Sequence, residues 1–179
     1  NNQPDIPADF TRKNETWSFA VTSHDGRTFG VEAISGTVTV DNTPPGLSNG
    51  NVDPQTGTAN NNFAFSVDYA DADGDAPPAG VTLNIDGTDF SMSPVPGFQD
   101  FVNGVLHVLD LSGTAIGKGS HTYSFVANDG EAGATGDTNP HAGPTLDNVL
   151  PAVLGLTVNG NRGLVDINLE VDDPDDSSL

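Results

Sequence analysis

The stretch "FAFSVDYADADGD" (Phe63 to Asp75) contains the two patterns that organise this chain. Phe63, Phe65, Val67 and Tyr69 alternate with small or polar residues. A period of two predicts a strand with one buried face. The alternation ends at Ala70, and Asp71, Asp73 and Asp75 follow at every second position ahead of Pro77 and Pro78. A half-buried strand thus runs straight into an acidic loop.

The same pattern occurs again. "INLEVDDPDD" (Ile167 to Asp176) repeats it, with Val165, Ile167, Leu169 and Val171 in the same parity and Asp173 standing 102 residues after Asp71. Two other segments repeat at an offset of 106. "TWSFAVTSHDG" (Thr16 to Gly26) returns as "TYSFVANDG" (Thr122 to Gly130), and "VDNTPPGL" (Val40 to Leu47) as "LDNVLPAV" (Leu146 to Val153). A four-residue deletion in the turn before the acidic strand accounts for the shorter offset. A unit of about a hundred residues has the size of an immunoglobulin-like sandwich.

The expected fold is therefore all-β: an immunoglobulin-like antiparallel β-sandwich, one complete repeat flanked by partial repeats. Residues 1–45 hold the last strands of one repeat, 46–150 a whole repeat, and 151–179 the first strands of a third. Within the central unit the alternation predicts strands near 47–53, 61–70, 80–86, 88–93, 98–102, 105–111, 121–128 and 136–147. Asp86-Gly87 and Asn103-Gly104 read as hairpin turns, because both residue types tolerate positive φ. The flanks are too short to bury cores of their own. Two arrangements follow: a window from a longer tandem array, or head-to-tail completion of sheets between copies. The polar opening "NNQPDIPADF" reads as the interior of a longer precursor.

Composition narrows the function classes. The 179 residues include 21 Gly and 13 Pro, in keeping with many short strands and turns. The absence of cysteine removes disulfides, thiolate metal sites and cysteine nucleophiles. Five Lys+Arg face 25 Asp+Glu, a formal net charge of −20. Such a chain repels nucleic acid and anionic membrane surfaces. It also repels itself, unless salt screens the charge or cations neutralise it, as in a salt-rich medium or in the calcium-containing space outside a cell. No apolar run approaches the ~18 residues of a membrane span, so no membrane insertion is expected.

The acidic residues gain meaning from this topology. In such a sandwich the loop after the second strand, the loop before the last strand and the incoming linker lie at one end. Asp71, Asp73 and Asp75, then Asp129, then Asp41 of the linker should converge there. At the next junction Asp147 of the linker should meet Asp173 and Asp175 within "DDPDD". Calcium takes six to eight oxygens in irregular geometry, which suits carboxylates drawn from several loops. This is not an EF-hand loop: counting from Asp71, position six is Ala76 and position twelve is Thr82. An ion joining a linker to the next domain would stiffen the array, and Pro44 and Pro45 act in the same direction.

"VDYADADGDAP" with "GSHTYSFVANDGEAG", joined by "TVTVDNTPP", resembles the immunoglobulin-like and cadherin-like tandem repeats of bacterial and archaeal secreted cell-surface proteins. The resemblance implies a long secreted chain serving in adhesion, an S-layer or a filament, often made rigid by calcium. In cadherin-like repeats the linker and top loops carry the ion ligands. The matching positions here are Asp41, Asn42, Asp71, Asp73 and Asp129. The first strand of the unit, Leu47 to Asp53, departs from that pattern in being mostly neutral.

Other motifs carry less. "GLSNG" (Gly46 to Gly50) matches a nucleophile pattern but follows a proline linker and precedes strands rather than a helix. "GTAIGKGS" (Gly113 to Ser120) has glycines at the wrong spacing for a phosphate loop and reads as a turn between strands. His107 and His121 read as strand residues and His24 as a loop residue, without the spacing of a zinc site. Asn14-Glu15-Thr16 is a glycosylation acceptor sequence. The expectation is a non-enzymatic structural or adhesive segment of an extracellular, surface-bound protein, with neighbouring repeats or copies of itself as partners. The alternative is an accessory carbohydrate-binding sandwich of a secreted polysaccharide-degrading enzyme, which would show an exposed row of aromatic rings.

Overall fold

The computed structural model describes residues 5–7 and 10–175. The fold is all-β. The N-terminal segment carries β1 (Thr16–Trp17), β2 (Ala20–His24), β3 (Phe29–Ile34) and β4 (Val38–Thr39). The centre carries β5 (Gly46–Asp53), β6 (Thr56–Thr58), β7 (Asn62–Ala70), β8 (Thr82–Ile85), β9 (Thr88–Ser91), β10 (Ser93–Pro94) and β11 (Val105–Ser112). The single-turn helix α1 (Gly113–Ile116) and β12 (Gly119–Val126), β13 (Thr135–Gly136) and β14 (His141–Asp147) complete it. A C-terminal hairpin follows, β15 (Ala152–Asn161) and β16 (Leu164–Asp172). Among the described residues, no strand pairing joins these three regions.

The centre is a sandwich of two five-stranded sheets, ordered β10-β11-β7-β5-β13 and β6-β14-β12-β8-β9. Alternation along β7 puts Phe63, Phe65, Val67 and Tyr69 fully inside. They meet Leu83, Ile85, Tyr123, Phe125 and Leu146 from the other sheet. Phe65 and Tyr123 touch edge to face across the sheets at 5.4 Å, a geometry that the ring quadrupole favours. The Asp86-Gly87 turn has φ values of 47° and 89° and closes the β8–β9 hairpin as the sequence predicts.

Several local expectations fail for identifiable reasons. The pairing is not wholly antiparallel: β13 runs parallel to β5, and β6 parallel to β14. The chain enters on β5 in one sheet and crosses by way of β6 to the edge of the other. Residues 98–102 form no strand. Asp100 accepts the backbone N–H of Asn103 on Oδ1 and that of Gly104 on its carbonyl, so the chain turns there instead of pairing. Asn103-Gly104 accordingly is no tight hairpin turn but ends the longer loop that joins β10 to β11. The segment 136–147 divides into β13 and β14, because Asp137 turns inward to accept the Gly50 N–H at 2.6 Å. Residues 113–116 form a helical turn rather than part of a plain loop. His24 ends β2, its ring 4.5 Å from Phe29.

The C-terminal hairpin copies the central sheet. Val153 pairs with Val171 and Val158 with Ile167, at offsets of 106 and 102 from Leu47–Tyr69 and Val52–Phe65. Both ladders are interrupted after the first of these pairs. The burial is opposite, however: Val153, Val158, Val165, Ile167 and Leu169 are exposed. Val21, Phe29, Val31 and Ile34 of the N-terminal hairpin are exposed as well. No helix among the described residues is long and apolar enough to cross a membrane.

Candidate metal centre

The acidic loop begins where β7 leaves its ladder. The Asp71 N–H donates to the Phe101 carbonyl at 2.7 Å, and the side chain turns under the loop that follows. Its Oδ1 accepts the N–H groups of Asp73 at 2.8 Å and Asp75 at 3.3 Å, a local turn that Asp favours. Gly74 makes the reversal with φ +81°, in the left-handed region, and donates to the Asp71 carbonyl at 3.0 Å. Every second residue therefore faces inward, and one carboxylate oxygen from each of Asp71, Asp73 and Asp75 lies within 4.8 Å of the others. The Tyr69 hydroxyl closes the base by donating to the Asp75 carbonyl at 3.1 Å. Burial pushes that phenol up to about 12, helped by the charges of Asp71, Asp129 and Asp75.

Asp71 supplies the strongest chemical indication. It is 1% exposed, and its Oδ2 has no hydrogen-bond partner among the described residues. Leaving a buried acceptor unsatisfied costs about 1–3 kcal/mol, and more when it is charged. A hard cation with oxygen ligands would satisfy it. Calcium suits the irregular, carboxylate-rich cradle better than magnesium, which demands near-octahedral geometry and retains waters.

The linker and the loop before β13 reach the same end. Asn42 donates from Nδ2 to Asp129 Oδ2 at 2.8 Å, and the Thr43 N–H donates to Asp73 Oδ2 at 2.7 Å. Asp129 Oδ1 accepts the N–H groups of Ala132 and Glu131 at 2.6 and 2.7 Å. The Ala132 N–H and then the Asn42 amide lower its carboxyl to about 2. Asp71, Asp73, Asp75, Asp129 and Asn42 thus share one pole. Asp41 is exposed, so it is the next two linker residues that make these contacts.

At the C-terminal junction the Val149 N–H donates to Asp175 Oδ2 at 3.1 Å. Val149 and Asp175 are the counterparts of Thr43 and Asp73, so the two junctions make the same linker-to-loop hydrogen bond. Burial raises the Asp175 carboxyl, but a hydrogen bond with Asp173, the Val149 N–H and the charge of Lys118 bring it below its ordinary value. Asp147 stays exposed at the end of β14 opposite Thr58, and Asp176 lies outside the described residues.

Sequence reasoning missed Lys13. Its ammonium pairs with Asp75 Oδ2 and contacts Glu131 Oε1 at 2.9 Å and Asn42 Oδ1 at 3.0 Å. Beside it, Thr11, Arg12, Lys13, Ala72 and Asp73 line a hollow of about 260 Å³. Elsewhere the rejected motifs stay unremarkable: Ser48 lies within β5, and buried His107 is held below its ordinary value by burial. No protein-family model matches the chain, and no curated protein matches its sequence.

Proposed function

We propose that this chain is a structural or adhesive segment of an extracellular surface or filament-forming protein, without enzymatic activity. In this reading immunoglobulin-like repeats of the cadherin-like kind follow one another, and calcium at the junctions makes them rigid. The recurring linker clamp carries it: Thr43 N–H on Asp73 at one junction and Val149 N–H on Asp175 at the next. A contact that recurs at equivalent positions serves the repeat rather than one isolated turn. The strand order supports the immunoglobulin-like assignment, since β10-β11-β7-β5 facing β14-β12-β8 follows the ABED and CFG arrangement.

The ion would be held by Asp71, Asp73 and Asp75, with Asp129 and Asn42 at the rim, and by Asp173 and Asp175 at the second junction. Calcium would supply the charge that lets these carboxylates stand together in a chain of net charge −20. The exposed apolar faces of β2–β3 and β15–β16 support neighbouring repeats or further copies as partners. The carbohydrate-binding alternative gains no such support. The strand aromatics of the central sandwich, Phe63, Phe65, Tyr69, Phe90, Tyr123 and Phe125, are buried or half-buried, which leaves no row of exposed rings.

The test is calcium-dependent melting. At a hundred times the dissociation constant, calcium should add about 2.7 kcal/mol to the stability of the ion-binding state. Asp71→Asn should abolish the shift. Equal melting temperatures in chelator and in millimolar calcium would overturn the ion assignment.

A further inference from the structure

The chain has only two lysines, and each stands just ahead of a strand. Lys13 lies four residues before Trp17, and Lys118 five residues before Tyr123, the counterpart of Trp17. The ladders do not align them, however: Thr16 pairs with Thr39 and Ser120 with the counterpart Thr145, which sets Lys118 against Asn14 rather than Lys13.

Lys13 reaches forward. Its side chain is 16% exposed, and its Nζ is surrounded by Asp75, Glu131 and Asn42 of the acidic pole. The hydrogen bond to Asp75, followed by that to Glu131, raises its pKa above the ordinary value. The group is a fixed ammonium, not a nucleophile.

We propose that Lys13 is a latch, placed ahead of β1 in the N-terminal unit and binding the acidic pole of the unit that follows. The pole is then a docking surface whose partner is the neighbouring unit's ammonium. Lys13 occupies Asp75 Oδ2 and Glu131 Oε1 and makes no contact with the buried Asp71 Oδ2. The inference rests on reading the poles as junctions but requires no bound ion.

The cysteine-free chain can be spin-labelled at Thr22→Cys and Thr88→Cys, on β2 and β9, and the label-to-label distance distribution measured in chelator at low salt. The parent chain should give a narrow distribution that Lys13→Gln broadens roughly twofold, and that high salt also broadens. The charge-exchanged pair Lys13→Glu with Glu131→Lys should restore the narrow distribution. Equal widths for the parent and Lys13→Gln in chelator, with the central sandwich still folded by circular dichroism, would overturn the latch. Adding calcium separates the two readings. If it narrows neither chain, the ion assignment fails while the latch stands. If it narrows both, and chelator had shown no difference, the ion alone makes the junction.

Discussion

Strands β7 and β16 share parity, register and the acidic residues that follow them, yet one is a core strand and the other is bare. Phe65 is fully buried and Ile167 is 67% exposed at the equivalent position. The difference lies in what each strand faces. β7 faces Tyr123, Phe125 and Leu83 across the sandwich, whereas among the described residues β16 pairs only with β15. A binary pattern marks which face wants burial, and a second sheet must still arrive to cover it.

This contrast can be broken first by truncation. Phe65→Ala should cost about 3–5 kcal/mol in urea unfolding of the central sandwich, as expected for emptying a packed core position. Ile167→Ala should cost within about 0.5 kcal/mol in dilute solution. A comparable loss at both sites would mean that the hairpin is covered in solution. If the loss at Ile167 grows with protein concentration, another copy supplies the cover.

Calcium sharpens the comparison at the ends of the same two strands. Asp71→Asn should remove the calcium-induced shift in melting temperature, while Asp41→Asn, at an exposed linker position, should leave most of it. Next in size, Gly74→Ala should destabilise the central sandwich by about 1 kcal/mol or more, because φ +81° strains any residue with a Cβ. Gly26→Ala, at φ +93° in the N-terminal hairpin, should leave the central transition where it is.

The smallest effect is acid sensitivity of the first junction. Asp129 is held at about 2 against an ordinary 3.8, so the folded state favours its ionised form. Its contribution is complete above 3.8 and is lost as the pH falls toward 2. Melting followed between pH 5 and 2 should decline less steeply in Asp129→Asn than in the parent chain. Identical slopes would show that the Asn42 and backbone contacts to Asp129 hold no linked charge.

Much of the fold could be read from the residues because a period of two is a local property. The alternation along β7 and the Asp86-Gly87 turn both follow from neighbours in sequence. The strand expected at 98–102 failed where a single side chain, Asp100, offered the backbone a competing turn. The parallel edges β6 and β13 were illegible because two- and three-residue strands carry no period. At the candidate site, the loop carboxylates could be named in advance. Asp41 and Asn42 were both named from their letters, and Asn42 reaches Asp129, whereas Thr43 contributes a backbone N–H that no letter announces.

By itself, then, the sequence determined an all-β chain with an internal repeat, one strongly hydrophobic alternating strand per copy and acids clustered after it. These are matters of short-range periodicity and composition. Only the tertiary structure decided which copy of the apolar face is covered, that the Asp71 carboxylate is buried with one oxygen unsatisfied among the described residues, and that Lys13 lies against Asp75 and Glu131. Burial and charge pairing depend on what distant segments bring to a given point in space.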